Sequence, residues 1–272
     1  MLFLIKKMTK KRLVFYWYAS RKYVNDITYQ LHLACFRHYF KMFDSGVFVI
    51  SVDDLHDSEL IKETEKVIID NSNINNIQFD VIQNDSLCEV NAFKKHVIGY
   101  KPEYNEIIFF AHTKGLRIFN DYPGWTEYYI NWVLCLYFYS LNFTDEVEKK
   151  ILGGIGGNNS AFYGPIMAFD GKEECKGLFY PGTFYWVNIN KIRNDEKNGL
   201  ITIPNFCYRA SVEDFPKIYN NTDIMNTSHD NKYMEKAPYY YDVVDYDNLT
   251  DYYGNKDEYK SLKDKIINEI RR

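Results

Sequence analysis

Glu106-Ile107-Ile108-Phe109-Phe110-Ala111-His112-Thr113-Lys114-Gly115 is the stretch that decides the fold. The run is apolar after its first residue, short enough for a strand and continuous enough for a strand buried on both faces. His112, Thr113 and Lys114 then bring polar chemistry to its carboxyl end, and Gly115 allows the turn. In open α/β sheets ligands bind in the crevice beyond such ends, so this stretch also marks the place to look for a site.

Upstream, Leu13 to Tyr18 is aromatic and β-branched and reads as a first strand. Asn25-Asp26 precede apolar residues at Tyr29, Leu33, Phe36 and Phe40, which is helical spacing. Gly46 to Val52 predicts a second buried strand, Asp57 to Ile69 a charged-flanked helix, Ile77 to Ile82 a third strand, and Glu89 to Val97 a short helix. Strands alternating with helices predict a mainly parallel α/β sheet flanked by helices, with the run into His112 as its fourth strand. Downstream, Trp125 to Phe143 predicts a long aromatic helix sandwiched between layers. Ile151 to Gly157, Ala161 to Phe169 and Thr183 to Ile189 read as short strands or loops in an irregular α+β part. Lys256 to Arg272 predicts a charged terminal helix. No internal repeat or clean linker is visible, so one main domain over residues 1–218 with a C-terminal extension over 219–272 is expected.

Composition bounds the function. Hydrophobic residues make up 46% and charged residues 26% of 272, which is globular. The net charge of -4 argues against a nucleic-acid binder, which is normally basic. Lys6-Lys7 and Lys10-Lys11-Arg12 form a local basic patch, read either as a peripheral contact with anionic lipid or as a solvated terminus. The apolar opening Met1 to Ile5 is too short for a signal peptide's core, and no apolar run approaches the ~20 residues of a spanning helix. Five scattered cysteines without CxxC spacing indicate neither zinc site nor disulfide frame, and a reduced, cytoplasmic protein is expected. Aromatics at 18%, including 25 Tyr and 19 Phe, fit either a biased composition or a carbohydrate or membrane surface.

Several motifs fail. Gly153-Gly154-Ile155-Gly156-Gly157-Asn158 lacks GxGxxG spacing and follows the first strand too distantly. Walker, Gly-x-Ser-x-Gly and zincin patterns are absent. Asp53-Asp54 reads as a helix N-cap rather than a metal pair. Gln83-Asn84-Asp85 reads either as a nucleobase contact or as an Asx turn. Gly182-Thr183-Phe184-Tyr185-Trp186 reads as a sugar platform or a core strand. Arg209 and Glu213, four apart, read as a salt bridge on a helix face or as a site for a general base.

His112-Thr113-Lys114-Gly115, Trp125, Tyr180-Pro181-Gly182-Thr183-Phe184-Tyr185-Trp186 and, loosely, Arg209 to Glu213 occur in an order that resembles a group of GT-A-type glycosyltransferases of polysaccharide-building systems. Those proteins carry H-[ST]-K-G at a strand end, a Trp-led helix, a Y-x-G-x-F-[WY]-W segment and an R-x-x-[AS]-E element. The resemblance covers roughly residues 13–216. It implies a Rossmann-like fold transferring a sugar from a nucleotide diphosphate, UDP- or GDP-linked, to a hydroxyl of a glycan. Under it, Tyr18, Ala19, Ser20, Asn84 and Asp85 hold the nucleoside, and His112 and Lys114 face the diphosphate. Trp125, Gly182, Thr183, Tyr185, Trp186 and Arg209 shape the sugar and acceptor pocket, and Glu213 is the base if the reaction inverts. Ordinary GT-A enzymes place Asp-x-Asp, which holds Mn or Mg, where this chain has His112 and Lys114; the metal is therefore left open, with Lys114 in part replacing it. The alternative is a non-catalytic carbohydrate-binding or interaction protein on a decayed version of the fold.

Overall fold

A computed structural model describes residues 9–23, 26–87, 89–103, 105–113, 126–142, 144–152, 160–164, 168–169, 178–179, 183–206, 211–213, 215–218, 224–226 and 255–271. The first half follows the alternation read from the sequence. Strand β1 (Lys10–Ala19) leads to helix α1 (Ile27–Tyr39), β2 (Ser45–Val52), α2 (Ser58–Ser72), β3 (Ile77–Gln83), α3 (Glu89–Phe93) and β4 (Glu106–His112). Then come α4 (Thr126–Leu141), α5 (Thr144–Leu152), β5 (Phe162–Gly164), β6 (Ala168–Phe169), β7 (Leu178–Phe179), β8 (Tyr185–Val187), α6 (Ile189–Lys197), β9 (Ile224–Asn226) and α7 (Lys256–Ile270).

Seven strands form one sheet in the order β3-β2-β1-β4-β8-β5-β9, and β6 and β7 pair separately. β3, β2, β1 and β4 are mutually parallel, whereas β8 runs antiparallel to both β4 and β5. Helices cover both faces, which is why β2 and β4 read as apolar runs instead of alternating ones. On one face Leu13, Phe15, Trp17, Phe48, Ile50 and Phe109 pack against Phe36 of α1, Phe40 just after it and Tyr137 of α4. On the other, Val14, Ile108 and Phe110 meet Val90 and Phe93 of α3 and Ile192 of α6. The sequence's aromatic excess goes largely into these layers. Phe15 alone lies within 6.2 Å, centroid to centroid, of Trp17, Phe36, Phe40 and Phe48, and such pairs each add roughly 0.5–1.5 kcal/mol beyond area burial.

Local chemistry explains the helix ends. The Asp26 carboxylate accepts from the Thr28 amide at 2.8 Å and starts α1. The N-cap of α2 is Asp57, accepting from the Leu60 amide at 3.1 Å, so the capping role expected for Asp53-Asp54 falls to a later residue. Asp54 instead closes an Asx turn on the His56 amide at 2.8 Å. The helix expected over Glu89–Val97 begins as α3 and widens into a π-turn, Lys94–Ile98. There Lys95 and His96 both reach Asp80 of β3, at 2.8 and 2.7 Å.

α4 is buried nearly all round from Ile130 to Leu141, as a sandwiched helix requires. Ile151 and Leu152, read as the start of a strand or loop, end the amphipathic helix α5, whose Val147 and Ile151 lie four apart and are both buried. Beyond residue 218, β9 extends the main sheet beside β5. α7 buries Tyr259, Leu262 and Ile266 in the core that holds α1 and α4, and the Tyr259 hydroxyl donates to the Asn131 carbonyl at 3.2 Å. Among the described residues no helix is long and apolar enough to cross a membrane.

Candidate functional site

A strand order of 3-2-1-4 has its topological switch point between β1 and β4, because the chain winds outward in opposite directions from those two strands. The residues at the carboxyl ends there are Tyr18-Ala19-Ser20 and His112-Thr113. The two ends are stitched together: the Thr113 amide donates to the Tyr16 carbonyl at 2.9 Å, and the Tyr18 amide donates to Thr113 Oγ1 at 3.1 Å. Ser20 is fixed from below, its amide donating to the Tyr29 hydroxyl at 3.1 Å, while that hydroxyl donates to the Tyr18 carbonyl. Ala19 is buried in the core and offers a ligand only its backbone.

Towards β2 and β3, parallel register brings four polar side chains into a row. The Tyr18 hydroxyl donates to Asp53 Oδ2 at 2.7 Å, Asn84 Nδ2 donates to Asp53 Oδ1 at 3.0 Å, and the Tyr16 hydroxyl reaches Asn84 Oδ1 at 3.5 Å. Asn84 is anchored by its own amide, which donates to the Val52 carbonyl at 2.7 Å. Asp53 is exposed, so this row opens to solvent. Burial and the Asp53 carboxylate push the Tyr18 phenol up to about 12, so it remains a proton donor through the neutral range. Asp53 is thus the hub of the row, and the sequence reading missed it. Asp85 folds back instead: its carboxylate accepts from the Leu87 amide and from Asn91 Nδ2, both at 2.8 Å, which is the Asx-turn reading.

On the far side of the switch point lies β8. Its antiparallel register with β4 pairs Ile108 with Val187 and Phe110 with Tyr185, and continuing it brings Thr183 level with His112. His112 is 4% exposed and lies opposite Tyr16 in β1, and its ring is 6.4 Å from that of Phe184. Thr183 is fully buried and has φ 54°, a left-handed conformation that a β-branched residue rarely adopts. It costs on the order of 1–2 kcal/mol. Its hydroxyl donates to Glu213 Oε1 at 3.5 Å, and the Tyr185 hydroxyl donates to the neighbouring Val212 carbonyl at 3.0 Å. Glu213, partly exposed, is thereby held at the rim.

Tyr185 and Trp186 are not a sugar platform. Both are fully buried, and the Trp186 indole donates to the Ser140 carbonyl at 2.8 Å while its ring packs on Phe109 and Phe43. The same enclosure removes Thr183 from direct contact with a sugar. Lys114, Gly115, Trp125, Gly182 and Arg209 lie outside the described residues, as does Ala210 of the Arg209–Glu213 element.

The divalent metal of ordinary GT-A enzymes does not fit what is described here. β4 ends in an imidazole and a hydroxyl instead of the hard carboxylate oxygens that Mg or Mn prefers. Among the described residues no three His, Cys, Asp or Glu side chains cluster to hold an ion.

No family model and no curated protein matches the chain. Among solved structures, that of a 4-diphosphocytidyl-2C-methyl-D-erythritol synthase from Anaerococcus prevotii DSM 20548 is similar over 80% of this chain and 87% of its own, with 9% identity and a TM-score of 0.38. So distant a likeness carries no functional weight. The α/β fold class, with its mainly parallel, helix-flanked sheet, is established by strand order and register.

Proposed function

We propose that this chain binds a nucleotide-diphosphate sugar, UDP- or GDP-linked, across the carboxyl rim and transfers the sugar to a hydroxyl of a glycan acceptor. One observation carries the reading: Tyr18, Asp53, Asn84 and Thr113, at the carboxyl ends of β1, β2, β3 and β4, are hydrogen-bonded to one another beside the switch point. Tyr18, Ser20, Asp53 and Asn84 bind the nucleoside half through hydroxyl, amide and carboxylate groups. His112 supports the diphosphate from beneath the rim and Lys114 supplies its positive charge, a role suited to a lysine acting as a point charge on phosphate. Trp125, Gly182 and Arg209 shape the acceptor side.

In the transfer step the acceptor hydroxyl attacks the anomeric carbon and the bond from that carbon to the diphosphate oxygen breaks. The nucleoside diphosphate leaves with the electron pair, and Glu213 takes the acceptor's proton. With water as acceptor the same step is slow donor hydrolysis. Incubating the protein with UDP- and GDP-sugars and quantifying released nucleotide by chromatography therefore tests the reading. One donor should be hydrolysed by the wild type, with turnover about 10²–10⁴-fold lower in Glu213→Gln. No hydrolysis of any donor, with nucleotide binding intact, would favour the non-catalytic alternative.

A further inference from the structure

Thr183 is the residue whose geometry is least explained by folding alone. A threonine with φ 54° and no exposure is held in a conformation glycine would adopt freely, two residues before the strand that begins at Tyr185. Backbone strain of this kind persists only where surrounding structure over-determines it, and such residues cluster at functional sites. The surroundings supply that over-determination. Phe184 is edge-on to Tyr137 at 5.1 Å and to Phe109 at 6.1 Å, and the Tyr185 hydroxyl is tied to the Val212 carbonyl. Tyr137 is itself fixed by the fully buried His32, whose Nδ1 lies 2.8 Å from the phenol oxygen. The polar end of the strained residue is the hydroxyl directed at Glu213 Oε1, at 3.5 Å, a span that a small adjustment on ligand binding would bring into ordinary hydrogen-bond range.

We propose that Thr183 is a positioning residue: its left-handed backbone holds the hydroxyl against Glu213 and orients that carboxylate towards the acceptor. The inference rests on the proposed role of Glu213 as base. It assigns the strain a purpose, since the left-handed backbone and the hydroxyl contact to Glu213 fall on the same residue. Glycine in the same place would keep the backbone and lose the contact.

The test compares Thr183→Val, which keeps shape without the hydroxyl, with Thr183→Ser, which keeps the hydroxyl, in the donor hydrolysis assay. Glu213→Gln serves as reference. The proposal expects Thr183→Val to lower kcat by about tenfold or more with KM for the donor unchanged, and Thr183→Ser to restore most of it. Equal kcat in Thr183→Val and the wild type, with Glu213→Gln impaired, would overturn the positioning role and leave the base intact. Wild-type turnover in Glu213→Gln would instead sink the base assignment. Should no donor be hydrolysed, crystal structures of the two Thr183 variants decide the positioning claim independently of activity. A Glu213 carboxylate displaced in Thr183→Val and unmoved in Thr183→Ser supports it; an unmoved carboxylate in both refutes it.

Discussion

Replacing Trp186 by phenylalanine separates a core role from a ligand role at one position. The indole is fully buried, 5.1 Å from Phe109 and 5.7 Å from Phe43 by ring centroids. Its N–H donates at 2.8 Å to the Ser140 carbonyl, in the last turn of α4, where the helix's own donors run out. Trp186→Phe leaves that carbonyl without its partner, costing roughly 1–3 kcal/mol. It also vacates part of the ring volume, so a total near 2–4 kcal/mol is expected. Unfolding entropy of about 2.1 cal/mol/K per residue gives this chain roughly 0.57 kcal/mol/K, and the melting temperature should fall by about 4–7 °C. Scanning calorimetry with and without a donor nucleotide reads both quantities: Tm falls and nucleotide affinity stays within about twofold. A variant that melts like the wild type yet loses donor or acceptor binding would refute the reasoning and restore the aromatic platform.

Other consequences are as direct. Burial pushes the Asp80 carboxyl up, but hydrogen bonds from His96 and Lys95 outweigh it and hold it below the ordinary carboxylate value. A depressed folded pKa stabilises above the unfolded value, about 3.9, and that contribution is lost as pH falls through the folded one. In urea titrations the stability gap between the wild type and Asp80→Asn should thus be full near neutrality and close below about pH 4; a gap that persists in strong acid contradicts it. Burial pushes the Cys35 thiol well up and the Cys135 thiol to about 12. Both should resist iodoacetamide in the native protein at mild alkaline pH and react in urea, read by peptide mass spectrometry, because the thiolate is the nucleophile. Rapid native labelling of either would contradict their placement. With its phenol pushed up to about 12, Tyr18 should leave nucleotide affinity flat from roughly pH 7.5 to 9.5, measured by calorimetric titration. A fall in affinity within that window that Tyr18→Phe abolishes would assign the titration to Tyr18.

The first half of the fold was legible because burial on both faces makes β1, β2 and β4 apolar runs and because Asp26 marks the start of α1. The run into His112 located the carboxyl rim without any structure. What stayed hidden depended on partners distant in sequence. Asp53 meets Tyr18 and Asn84 only once Tyr18, Ser51 and Ile82 fall into parallel register, and no local pattern announces that register. Tyr185 and Trp186 read equally as sugar-stacking residues beside Gly182 or as a core strand, and the sequence does not show that both faces of β8 are covered. α5 was passed over because a nine-residue amphipathic helix with two buried apolar positions resembles a loop beside its glycine-rich neighbour. Strain at Thr183 has no sequence signal short of finding threonine where glycine would be expected.

Every role proposed above requires a nucleotide at the rim of the β1–β4 switch point. Thermal-shift titration of the wild type and Asn84→Ala with UDP, GDP and CMP tests it most directly. At 100 times Kd a single site adds about 2.7 kcal/mol, or roughly 5 °C for this chain. Such a rise is expected for one nucleotide in the wild type, with a clearly smaller rise in Asn84→Ala at the same concentration. No rise with any nucleotide, or an equal rise in the variant, would contradict it.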